Sequence, residues 1–162
     1  MNSTLLADNS EASLKKFLNT LSAVDEVGVK ARVEMLATRS IKTSSKNWAV
    51  DLAIRMVDLT TLECADTPGK VRALCAKGVY PDPTDLSVPS VGAICVYNDM
   101  VKIARQALDA GGGKNIPVAA VSTAFPSGRA SKEVKIQDTK DAIANGASEI
   151  DMVIDRGAFL SG

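Results

Sequence analysis

Four short apolar runs rich in β-branched residues, each set off by stretches with helical periodicity, constrain the fold of this chain most tightly. They are Ile54 to Asp58, Ala93 to Tyr97, Val118 to Ser122 and Glu149 to Ile154. Strands buried on both faces read as nearly unbroken apolar runs, which marks a parallel sheet covered by helices. Strand and helix in alternation predict βαβ units.

The helical stretches carry their own punctuation. One opens with Thr67 as N-cap and Pro68 at the first helical position, turns Val71, Leu74 and Cys75 inward, and stops at Gly78. In the next, Met100, Ile103, Ala104, Ala107 and Leu108 form one apolar stripe that closes at Gly111, Gly112 and Gly113. A third spans Ser131 to Ala144 and ends at Asn145-Gly146. Ahead of the first run, Leu14, Phe17, Leu18 and Leu21 mark one helix face between Glu11 and Leu21, and a second helix covers Asp25 to Ala37. The Ser-, Thr- and Lys-rich tract Thr38 to Asn47 reads as a loop. Two parts are therefore expected: a helical extension with its loop over 1–47, and a βα domain over 48–162.

Two α/β architectures fit the alternation, an open doubly wound sheet and a (β/α)8 barrel. No G-x-G-x-x-G follows the first strand, and the glycines at 111–113 end a helix where a dinucleotide fingerprint would have to begin one. This favours the barrel. A closed barrel takes eight strands and about 250 residues, so four βα units read as its first half. A four-stranded half has open edges and an uncovered inner face. It is expected to dimerise or to need the remainder of the barrel.

With 46% hydrophobic residues the chain can bury a core, and 19 basic residues balance 19 acidic ones at a pI near 6.3. Such a surface draws neither nucleic acid nor anionic membrane. The three cysteines form no C-x-x-C pair and there is no histidine, which removes the usual zinc sites and every histidine-based nucleophile. Acid–base work falls to carboxylates, lysines, tyrosines or cysteines. Met1 to Thr20 lacks the apolar core of a signal peptide, and no run approaches the roughly 20 apolar residues of a membrane helix. A soluble, cytoplasmic protein is expected.

Barrel chemistry sits at the C-terminal ends of strands. There the first run presents Asp58, Thr60 and Thr61, with a turn cap as the plainer use of the carboxylate. The second places Cys95 and Tyr97 on one face, and such a cysteine is more often a small core residue. The third leads into Ser122-Thr123-Ala124-Phe125-Pro126-Ser127-Gly128, a turn with small polar residues. On the fourth, Glu149 and Asp151 alternate with Ile150 and Met152. If their face is the barrel interior, Asp151 is buried and needs a partner or a shifted pKa, both marks of a site.

The segments Val57 to Leu62, Ala93 to Tyr97, Phe125 to Gly128 and Gly146 to Ile154 resemble, in order and spacing, those of the deoxyribose-phosphate aldolase family. The resemblance implies a (β/α)8 class I lyase of carbohydrate and deoxyribonucleotide catabolism. That family uses neither metal nor organic cofactor and cleaves 2-deoxy-D-ribose 5-phosphate to acetaldehyde and D-glyceraldehyde 3-phosphate. A lysine forms a Schiff base with the substrate, and an aspartate, a second lysine and a water move protons. Carried over by motif, Asp151 corresponds to the proton-relay aspartate, Asp58 and Thr60 to the polar pair that orders the site and the substrate hydroxyls, and Cys95 to a cysteine beside the bound aldehyde. The Schiff-base lysine belongs to the family's sixth strand and its partner to the seventh, so both are expected beyond Gly162. Lys42-Thr43-Ser44-Ser45-Lys46 looks like the lysine segment but precedes the first strand, where a lysine is solvated. Two departures stand out: Asn98, where many relatives have proline, and Asp155, a second carboxylate near Asp151 that could raise the pKa of one of the pair. The alternative readings are a non-catalytic truncated barrel that binds or scaffolds, and a related phosphate-sugar lyase.

Overall fold

The computed structural model describes residues 10–161. The polar start of the chain, 1–9, and Gly162 lie outside the described residues. Contacts divide the chain into a unit up to Ile41 and a unit from Lys42 onward. The first holds α1 (Glu11–Leu18), capped by Ser10, and α2 (Glu26–Ala37), capped by Asp25.

The second unit begins with α3 (Thr43–Arg55), so the tract read as a loop is helical from Thr43 onward. This displaces the first strand. Ile54 lies inside α3, and β1 is Asp58–Thr60, four residues later than the apolar run suggested. Ile54 packs on the core from the helix, which is why a β-branched residue there mimicked a strand. The rest alternates as expected: α4 (Pro68–Val79), β2 (Ala93–Tyr97), α5 (Val101–Ala110), β3 (Val118–Ser122), α6 (Lys132–Ala144), β4 (Glu149–Met152) and the short α7 (Arg156–Ser161). Thr67 caps α4 by accepting the Lys70 N–H at 3.2 Å, and Ser131 caps α6 through Val134.

All four strands are parallel and lie in the order β1-β2-β3-β4. A doubly wound sheet reverses its strand order at a switch point. This one winds in a single direction, the order of a (β/α)8 barrel. The core fills the helix side of the sheet. Val71 and Cys75 from α4, Val101, Ala104 and Leu108 from α5, and Ala142 from α6 close over Ile94, Val96, Val118 and Ala120. Gly78 is needed for that fit, because a Cβ there would stand 2.6 Å from Ile94 Cδ1. No described helix is long and apolar enough to cross a membrane.

Candidate functional site

Because side chains alternate along a strand, the residues between those core positions point to the opposite face, which is buried at β2 and β3 under Leu62, Tyr97 and Phe125 and exposed at β1 and β4. Registered neighbours form two rows across it: Thr60, Cys95, Ala119 and Glu149, then Tyr97, Val121 and Asp151. Asp58, two residues before Thr60, shares the face from the strand's start. All four candidate residues, Asp58, Thr60, Cys95 and Asp151, thus stand on one surface.

Cys95 is its centre. The thiol is 2% exposed and donates to Asp151 Oδ2 at 3.9 Å. Burial raises its pKa above the ordinary thiol value, and a hydrogen bond with Thr60 takes back part of the rise. The negative charges of Asp151 and Asp58 push it up again. A thiol held protonated at neutral pH is a poor nucleophile. Residues from both flanking strands therefore act on one atom of β2, although β1 and β4 are not neighbours.

The carboxylates themselves are open. Asp58, Glu149 and Asp151 are exposed, so the burial expected of Asp151 is not found. Among the described residues nothing covers the face at β4, and an exposed carboxylate keeps its hydration without a cationic partner. None of the four strands contains a lysine or arginine. Lys42 is the N-cap residue of α3 and Lys46 lies within that helix, both exposed. Neither is on a strand.

The loop after β3 walls one side. Phe125 meets Tyr97 edge to face at 6.0 Å, and Leu62 packs against the same small cluster over Cys95 and Val121. Thr123 and Ala124 both take positive φ, 63° and 64°. That conformation is an outlier for a β-branched residue. The Asp138 carboxylate accepts the Ala124 N–H at 3.4 Å and the Asn98 side-chain amide at 3.1 Å. Asn98 in turn accepts from Asn145 at 3.0 Å. Proline at 98 could make neither the bond to Asp138 nor the one from Asn145, so this departure ties the end of β2 to α6.

Asp155 does other work than pairing with Asp151. It caps α7 by accepting the Ala158 N–H at 3.0 Å, and that bond, with the charges of Arg129 and Lys135, lowers its pKa. Sequence pattern marked the 122–128 turn as a possible wall but not its tie to Asp138. No periodicity reports a carboxylate that reaches from a helix to a loop. A cleft of about 330 Å³ lined by Lys132, Lys135, Lys140 and Met152 lies on the helix side of β4, because Met152 alternates with Asp151.

No protein-family model matches the chain. Among curated proteins it is 35% identical over 150 residues to the human deoxyribose-phosphate aldolase, which covers 86% of this chain and 46% of the relative. The mouse deoxyribose-phosphate aldolase is 36% identical over 148 residues, with the same coverage. The chain spans about half the length of the curated relatives it matches. A solved structure from Coccidioides immitis, described as a deoxyribose-phosphate aldolase, superposes with a TM-score of 0.58 at 29% identity, over 69% of this chain and 40% of that one. The tetrameric deoxyribose phosphate aldolase of Aeropyrum pernix shares the fold, with a TM-score of 0.51 at 23% identity over 66% of this chain and 40% of that one.

Proposed function

We propose, from this chain's homology to the deoxyribose-phosphate aldolases, that it supplies the proton-handling face of a class I aldolase. In this reading the whole protein cleaves 2-deoxy-D-ribose 5-phosphate to acetaldehyde and D-glyceraldehyde 3-phosphate. The observation that carries it is that exposed Asp58, Thr60 and Asp151 share one face of the sheet with the buried thiol of Cys95 and act on it.

The division of labour follows from the chemistry of these groups. Asp151, exposed and so open to substrate, accepts and returns the proton that moves when the carbon–carbon bond breaks. Asp58 and Thr60 order the substrate hydroxyls and water beside it. Cys95, held as a neutral thiol, lines the aldehyde end without attacking it. The electron sink is a lysine Schiff base, which lowers the barrier by turning a carbonyl into an iminium. Since the four strands carry no lysine, that group has to come from another strand of the barrel. The reading needs no metal or organic cofactor, sets the protein in the cytoplasm, where unpaired thiols such as Cys64, Cys75 and Cys95 stay reduced, and makes it a homo-oligomer.

The test is borohydride reduction of the protein carrying this chain in the presence of acetaldehyde, followed by peptide mapping. A reduced adduct on a strand lysine outside residues 10–161 is the expected result. An adduct on Lys42 or Lys46, or none alongside absent turnover of deoxyribose 5-phosphate, overturns the reading.

A further inference from the structure

The end of β4 is held in an uncommon way. The β3–β4 ladder stops at the pair Ser122 and Met152. The residue after β3, Thr123, turns to φ +63° and adds no further pair to the ladder. The Thr123 hydroxyl takes its place. It accepts the Val153 N–H at 2.9 Å and lies 2.8 Å from the Val153 carbonyl, which it can serve as donor. The same proton also reaches the Ser122 carbonyl at 2.6 Å. One side chain thus accepts the amide of a residue 30 positions away and shares its proton between that residue's carbonyl and the Ser122 carbonyl, at a site only 9% exposed.

A second contact closes the clasp. A Cβ on Gly128 would stand 2.2 Å from the Ile154 carbonyl oxygen, so the two ends of the 123–128 loop grip consecutive residues after β4. Asp151 sits two positions before Val153. Its approach to Cys95 depends on where the C-terminal end of β4 is fixed, and β3 is that strand's only partner among the described residues.

We infer that Thr123 is a positioning residue: its hydroxyl, set by a left-handed backbone, clasps Val153 and so holds the Asp151 carboxylate against Cys95. Strain at a β-branched residue with positive φ persists where surrounding contacts over-determine it. Here the Asp138 carboxylate on the Ala124 N–H and the Gly128 contact supply them. The consequence for catalysis rests on the proposed aldolase reading, but the clasp does not.

Three measurements on the protein carrying this chain separate the two. Hydrogen exchange of the Val153 amide should show protection in the wild type, and free exchange overturns the clasp without any variant. Titration of the Cys95 13Cβ shift reads the thiol beside Asp151. Removing the negative charge in Asp151→Asn should move its midpoint down. Thr123→Val should move it in the same direction, and Thr123→Ser, which keeps the hydroxyl, should titrate with the wild type. An unmoved midpoint in Thr123→Val or in Asp151→Asn contradicts the inference. Should Thr123→Val fail to fold, protection of Val153 in Thr123→Ser and its loss in Thr123→Ala decide the matter. In turnover of deoxyribose 5-phosphate, Thr123→Val is expected to lose kcat by roughly 10- to 100-fold, the scale of a small misplacement, with KM little changed. A wild type without turnover sinks the aldolase reading and leaves the exchange and titration results to judge the clasp.

Discussion

The central and flanking strands of the sheet are built to opposite specifications. β2 and β3 are buried along almost every residue, whereas every residue of β1 and β4 is exposed except Leu59 and Ile150, which are half-buried. Apolar burial, at about 25 cal/mol per Å², stabilises the centre. The flanks depend on one ladder each and on loop contacts. Yet the flanks carry Asp58, Thr60 and Asp151, and the centre contributes only the thiol they surround. A charged group is cheaper to keep ionised on an open strand than in a packed one. Three of the four candidate residues thus lie where the packing is thinnest, around a thiol on a buried strand.

The largest difference should appear in native-state hydrogen exchange. Amides of β2 and β3 should open only with global unfolding, at several kcal/mol, while those of β1 and β4 exchange through cheaper local openings. Uniform protection across the four strands would erase the distinction. Next comes Leu108→Ala in the fully buried stripe of α5, expected to cost about 2–5 kcal/mol in denaturant unfolding.

Cys75 gives a smaller effect with a pH signature. It is 1% exposed, and burial pushes its thiol from 9.0 to about 11, against a small opposing pull from Arg105. The folded state holds the proton longer than the unfolded chain, so stability is complete below pH 9 and falls as pH rises to about 11. The loss should be on the order of 2–3 kcal/mol at 1.36 kcal/mol per pH unit. Cys75→Ala should flatten that slope in alkaline melts, and an unchanged slope would place the titration elsewhere. At the bottom of the scale, Met152→Ala on the 62%-exposed side of β4 should change stability by under about 0.5 kcal/mol.

The same contrast explains what could be read from sequence. β2 and β3 are legible as Ala93 to Tyr97 and Val118 to Ser122 because burial on both faces demands apolar residues throughout. β1 is not, since its three residues are too few to carry a pattern and Ile54, a core contact of α3, imitates a strand four residues early. The Ser and Thr residues of 43–45 suggest a loop but occupy the first turn of α3. Asp58, Thr60, Cys95 and Asp151 could be named from motif, and strand parity places them on one face. Their exposure could not, because it depends on what lies over that face. Thr123's grip on Val153 has no sequence signature, as it replaces a backbone bond between residues 30 apart by a side chain.

In the proposed function the face around Cys95 handles protons for an aldol cleavage. Asp151→Asn, in the protein carrying this chain, tests it most directly, because the change is isosteric and its site exposed. Turnover of deoxyribose 5-phosphate is expected to fall by roughly 10²- to 10⁴-fold, the usual worth of a positioned acid–base group, with the melting transition unmoved. Near-wild-type turnover in a folded Asp151→Asn would contradict it.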